Sequence, residues 1–257
     1  MPPFEASARA NDRGPDMNDI HIRILSAVVG TNRSLEAEQS VLAIAGVRLS
    51  KVHVAHGTRS IESIHDSALS VPELLRLAAE AEQEGVDALV IDCMADPGLV
   101  ALRERVKIPV LGPSQTAMHL AALLGHRFSI VTLARHLKVL FEIAAASYGT
   151  AASMASCRWI DIAADELADG HDRIFAAVLA QAVRAIEDDN ADTIILGCTG
   201  LLGLAGEITR GLHERGYDAL VIDPLPATIR QAHALVAAGL SHSRYAYPLP
   251  ARLRCPA

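Results

Sequence analysis

The chain has 257 residues and a formal net charge of −7, and its 51% apolar residues are interrupted throughout by charges. That length supports one large domain or two ordinary lobes, with ample core in either case. No apolar run is long enough to span a bilayer, and the negative balance excludes a general nucleic-acid binder, which needs a basic face.

Residues 1–18 carry Pro2, Pro3, Gly14 and Pro15 among scattered charges. They predict a disordered tail without the apolar stretch of a secretory signal. From there, strand-like and helix-like runs alternate. Ile22–Val28 predicts a strand, Leu35–Ala45 a helix and Leu49–Val54 a strand. Val71–Gln83 (helix), Ala88–Asp92 (strand), Gly98–Val106 (helix) and Val110–Leu111 (strand) follow. Next come Thr116–Leu124 (helix), Phe128–Thr132 (strand), Leu137–Ala146 (helix) and Arg158–Ile162 (strand). Ile174–Glu187 (helix), Thr193–Leu196 (strand), Leu201–Arg215 (helix), Ala219–Ile222 (strand) and Ala227–Ala238 (helix) complete the series. Asp96-Pro97 supplies a helix cap and a favourable first helical residue. The strands are continuously apolar, as in parallel sheets covered on both faces, and the alternation means α/β.

A duplication runs through this pattern. Asp87-Ala-Leu-Val-Ile-Asp-Cys93-Met-Ala-Asp-Pro-Gly98-Leu99 and Asp192-Thr-Ile-Ile-Leu-Gly-Cys198-Thr-Gly-Leu-Leu-Gly203-Leu204 both fit Asp-x5-Cys-x4-Gly-Leu. Each is preceded by a helix and followed by a helix and a strand ending in proline, Pro113 or Pro224. This predicts two similar lobes related by pseudo-twofold symmetry, each a short, mostly parallel sheet flanked by helices. The first lobe is expected over 19–115 plus about 224–245 and carries Cys93. The second covers 116–223 and carries Cys198, with a C-terminal tail over 246–257.

A cysteine on an apolar strand is by itself an ordinary core residue. The shared frame sets Cys93 and Cys198 apart, because open α/β sheets bind ligands beyond the carboxyl ends of their strands. Backbone N–H groups and a helix start there favour a thiolate. Two facing thiols suit moving a proton between the two faces of one carbon. Cys157 and Cys255 lack this context, and without Cys-x-x-Cys the cysteines read as reduced thiols in a cytoplasm. Other constellations are weaker. Gly197, Gly200 and Gly203 with Asp223 miss a dinucleotide fingerprint by one residue. His53 and His56 have no evident third metal ligand, and there is no Gly-x-Ser-x-Gly elbow.

Ser60-Ile61-Glu62, the two cysteine segments, Ala117-Met-His-Leu-Ala121 and Arg127-Phe-Ser-Ile-Val-Thr132 resemble the aspartate/glutamate racemase superfamily, specifically its hydantoin and allantoin racemase branch. The resemblance runs from about Ile22 to Ala238. It implies a racemase or epimerase that needs neither cofactor nor metal, acts on a carbon next to a carbonyl of a small molecule, and is often a homo-oligomer. One cysteine removes the proton as thiolate and the other delivers one as thiol. Stabilisation of the carbanion's carbonyl oxygen falls to the amides of Met94-Ala95 and Thr199-Gly200 and the hydroxyls of Ser60, Thr132 and Thr199, with Ile61 beside them. The chain departs from the branch at Ser26–Asn32, Gln115 and Leu133, positions that bear on which substrate is held. A superfamily lyase, a thiol-dependent cis–trans isomerase and a non-catalytic binding protein are the competing readings.

Overall fold

In a computed structural model, residues 20–30, 33–168 and 170–254 are described; the segment 1–18 and Cys255 lie outside them. The strands are β1 (Ile20–Ser26), β2 (Val47–His53), β3 (Ala88–Asp92), β4 (Val110–Leu111), β5 (Phe128–Thr132), β6 (Met154–Trp159), β7 (Thr193–Leu196) and β8 (Leu220–Ile222). The helices are α1 (Leu35–Leu42), α2 (Ile64–Gln83), α3 (Leu99–Arg105), α4 (Pro113–Leu124), α5 (Lys138–Ser147), α6 (His171–Asp189), α7 (Ala205–His213), α8 (Pro224–Ala237) and α9 (Ala251–Arg254).

The strands form two four-stranded sheets with the same order, β2-β1-β3-β4 and β6-β5-β7-β8, and every pairing is parallel. The fold is thus α/β, with helices flanking both sheets. The central strands β3, β5 and β7 are buried at every position, which explains their unbroken apolar runs. β6 is an edge strand and mixes polar with apolar residues. Its Ser156 meets Ser129 of β5 at 2.7 Å, so it starts earlier than the apolar run Arg158–Ile162 predicts. α2 also begins earlier than expected, at Ile64, with Pro72 inside it and Ser63 capping Asp66 N–H at 3.1 Å.

Pro113 and Pro224 open α4 and α8, where a missing N–H costs nothing. α8 buries Leu225, Ile229 and Ala232 against Ile22, Ile24, Ala88 and Val90 of the first sheet. α4 buries Ala117, Met118 and Ala121 in the core of the second sheet. Each sheet is therefore covered by the helix that follows the other. Beyond α8, Arg244 donates to the carbonyls of Arg103 and Val106 at the end of α3. Arg103 stacks over Tyr247, and α9 lies within the segment expected to be a tail.

Candidate active site

Each residue of the repeated motif does the same work in both halves. Asp87 accepts from His21 N–H at 2.8 Å, and Asp192 accepts from His126 N–H at 2.8 Å. Each carboxylate thus ties the start of a cysteine-bearing strand to the strand beside it. Gly98 and Gly203 have φ of +68° and +88°, a conformation that L side chains rarely adopt. Leu99 and Leu204 are buried.

Cys93 follows β3, and Cys198 lies just beyond β7. Both strands stand where the strand order reverses, at the crevice in which such sheets bind ligands. Ala95 N–H donates to Cys93 Sγ at 3.4 Å, and Gly200 N–H donates to Cys198 Sγ at 3.3 Å. The alternation of exposure also matches: each cysteine is half-buried, the next residue buried and the one after half-buried.

The carboxyl ends of the two sheets face each other. Met94 packs into the second core, Tyr148 donates to Asp96 Oδ2 at 2.9 Å, and Arg33 of the first half donates to Thr199 Oγ1 at 3.3 Å. Burial pushes both thiols up, against the N–H groups of Ala95 and Gly200 that pull them down. Burial thus dominates at both sulfurs, although each cysteine keeps part of its surface exposed. The thiolate-favouring helix start expected beside Cys93 does not form. Asp96 takes a φ of +46°, and α3 begins only at Leu99. The Asp96 carboxylate instead accepts from Ser114 and Gln115 N–H at 3.0 and 2.8 Å, so it caps α4.

Behind the cysteines lies a group of charges that the sequence reading missed. Lys51 Nζ bridges Glu38 Oε2 at 2.8 Å and Asp92 Oδ2 at 3.0 Å. Arg33 meets Glu38 Oε1 at 2.6 Å through Nε. Its Nη1 reaches Asp92 Oδ1 at 3.4 Å and Thr199 Oγ1 at 3.3 Å. Burial opposes ionisation of Asp92, but Arg33 and Lys51 outweigh it and hold the carboxyl below its ordinary range. The only sequence signal was an aspartate closing a wholly apolar strand.

The remaining residues fall into place unevenly. Ile61 and Cys93 border the same apolar cluster, and Val29 N–H to Thr58 O at 3.0 Å ties the segment before Ser60 to the loop after β1. Thr199 is buried between Arg33 and Cys198. Thr132 is fully buried and donates to Gly197 O at 3.4 Å, so it braces the Cys198 turn from below. Asp223 accepts from Gly203 N–H at 2.7 Å, which pins that turn where a dinucleotide site would need the carboxylate free. Gln115 accepts from Arg103 at 2.6 Å. His53 and His56 are exposed, and no group of three or more metal-ligating side chains gathers among the described residues. Among these residues no helix is long and apolar enough to cross a membrane.

Residues 26–232 match the family model described as Asp/Glu/Hydantoin racemase. The chain belongs to this family. The racemase is 34% identical over 195 residues to a hydantoin racemase of Pseudomonas sp. (strain NS671), covering 75% of this chain and 76% of that protein. It is 32% identical over 234 residues to a hydantoin racemase of Rhizobium meliloti, covering 89% and 95%. An allantoin racemase from Klebsiella pneumoniae, 30% identical, aligns in structure with a TM-score of 0.83 over 90% of this chain and 94% of its own. The enzyme is an isomerase.

Proposed function

We propose that the enzyme racemises a carbon next to a carbonyl in a hydantoin- or allantoin-like small molecule, with Cys93 and Cys198 as its two acid/base groups. The observation that carries this reading is the equivalence of the two thiols: each follows its strand end and accepts the N–H two residues on. A flat cyclic amide between them presents one face to each sulfur. The thiolate on one side takes the hydrogen as a proton, and the electron pair spreads into the adjacent carbonyl. The thiol on the other side returns a proton, and the two sulfurs exchange states.

Burial raises both thiols, so a thiolate formed at either position is a stronger base toward a weak carbon acid. In this reading the backbones of Met94-Ala95 and Thr199-Gly200 flank the substrate carbonyl, and Ser60 and Ile61 of the loop after β2 approach it from the other side. Thr132 acts only indirectly, by bracing the Cys198 turn through Gly197 O. Free thiols at both positions suit a reducing, cytoplasmic setting.

The test is to incubate one enantiomer of a 5-monosubstituted hydantoin, or of allantoin, in D2O. Loss of optical rotation should accompany uptake of one deuterium. Cys93→Ser and Cys198→Ser should each lower racemisation by on the order of 100-fold or more. Unchanged turnover in both variants rejects the reading, and carbon dioxide release from a disubstituted malonate would make the enzyme a lyase instead.

A further inference from the structure

The two thiols are equivalent in backbone but not in charge. Ile24 of β1 pairs with Lys51 and Val90; the matching Ile130 of β5 pairs with Cys157 and Ile195. Where the first half buries Lys51, the second buries Cys157. Where the first has Asp92 before its cysteine, the second has Gly197, and a Cβ there would lie 2.8 Å from Thr132 Cα. Arg33 precedes Ser34, the cap of α1, and its Nε is held by Glu38 on that helix. Its guanidinium therefore crosses from the first half to Thr199, the residue after Cys198. In the loop after β5 the nearby arginine, Arg135, stacks over Trp159 instead.

The charges weighing on each sulfur differ accordingly. Cys198 faces Arg33, with Asp92 opposing it. For Cys93 the neighbouring charges that weigh most, Cys198 when ionised, Asp96 and Asp92, are all negative and oppose its thiolate. We propose that Arg33, fixed by Glu38 and Asp92, is a positioning residue that breaks the equivalence of the pair, making Cys198 the resting base and Cys93 the resting acid. This rests on the two-thiol reading above. The resting enzyme then accepts first the enantiomer whose C–H points at Cys198. The mirror substrate must wait until a proton has moved from Cys93 to Cys198.

The experiment is pulse alkylation with iodoacetamide across pH 6–11, read for each cysteine by peptide mass spectrometry. The pH midpoint of labelling reports thiolate formation independently of how easily the reagent enters. In the wild type, Cys198 should label with a midpoint at least about one pH unit below Cys93, a tenfold difference in thiolate fraction. Arg33→Gln should move the Cys198 midpoint upward and leave Cys93 nearly unmoved, and Arg33→Lys should restore most of the difference. Buried Cys157, pushed up to about 12, must stay unlabelled in any variant that keeps its fold. Cys93 labelling at the lower pH overturns the proposal, as does a Cys198 midpoint indifferent to Arg33→Gln in a folded protein. The wild-type order decides which thiol is the resting base even if that variant unfolds, and Arg33→Lys then carries the test of Arg33 itself. Labelling needs no turnover. Racemisation that survives loss of both thiols would therefore sink the two-thiol reading while leaving this order readable.

Discussion

Lys51 Nζ lies 3.0 Å from Asp92 Oδ2, and both side chains are only 2% exposed. They form the inner edge of an ion cluster directly behind Cys93. Removing one partner of such a pair strands the other charge without water. Lys51→Met should therefore destabilise the fold by about 3–5 kcal/mol in urea unfolding. The loss should also depend on acid. Asp92 is held below its ordinary range, so its stabilising contribution is present above the unfolded value near about 4 and fades as pH falls through the folded value. In Lys51→Met that fading should begin at higher pH.

The single-thiol variants should not be equivalent toward the two enantiomers. With Cys198→Ser, Cys93 remains to exchange hydrogen on the face it sees, and with Cys93→Ser the other face is served. Each variant should wash deuterium from solvent into a different enantiomer while hardly racemising either. Chiral separation followed by mass measurement checks this. Exchange of the same enantiomer by both variants would contradict the facing geometry.

Gly197 leaves no room for a side chain: a Cβ would meet Thr132 at 2.8 Å and Ile130 Cγ2 at 2.9 Å. Gly197→Ala should cost about 1–3 kcal/mol by overpacking. It should also lower kcat, because the Cys198 turn would be pushed toward the cleft. Full activity with wild-type stability would show that the turn has slack.

Burial pushes Asp96 to about 6, against the N–H groups of Gln115 and Ser114 that pull it down. An unfolded aspartate titrates near about 4. Between those values the folded chain holds more protons than the unfolded one, so this group's contribution to stability declines as pH rises from about 4 to about 6. Asp96→Asn cannot ionise. The stability gap between wild type and Asp96→Asn should therefore be widest below about pH 4 and narrow through about pH 6, as urea midpoints at each pH would show. A gap that widens with pH would reverse the sign.

Local pattern carried the sheet centres and the cysteine frame. Ala88–Asp92, Phe128–Thr132 and Thr193–Leu196 match the observed strands residue for residue, because a strand covered on both faces has little freedom but to be apolar. β6 was displaced because an edge strand tolerates Ser156 and Arg158. Pro72 hid the first turns of α2. Asp96 read as the cap of the nearest helix, yet it caps α4, which is distant in sequence and close in space. The cluster of Arg33, Glu38, Lys51 and Asp92 was invisible for the same reason. Its members come from a loop, a helix and two strands, and each alone looks like an ordinary surface charge until the fold buries them together.

The exchange of α4 and α8 between the sheets bears on how this molecule comes apart. A break between α4 and β5 would leave each fragment holding the other's cover, with the apolar face of its own sheet and the apolar stripe of the other sheet's helix open to water. Neither fragment should fold alone, although mixed together they could reassemble. In the intact chain the two halves should melt in a single calorimetric peak rather than in succession, so the cleft between them should persist until the whole structure is lost.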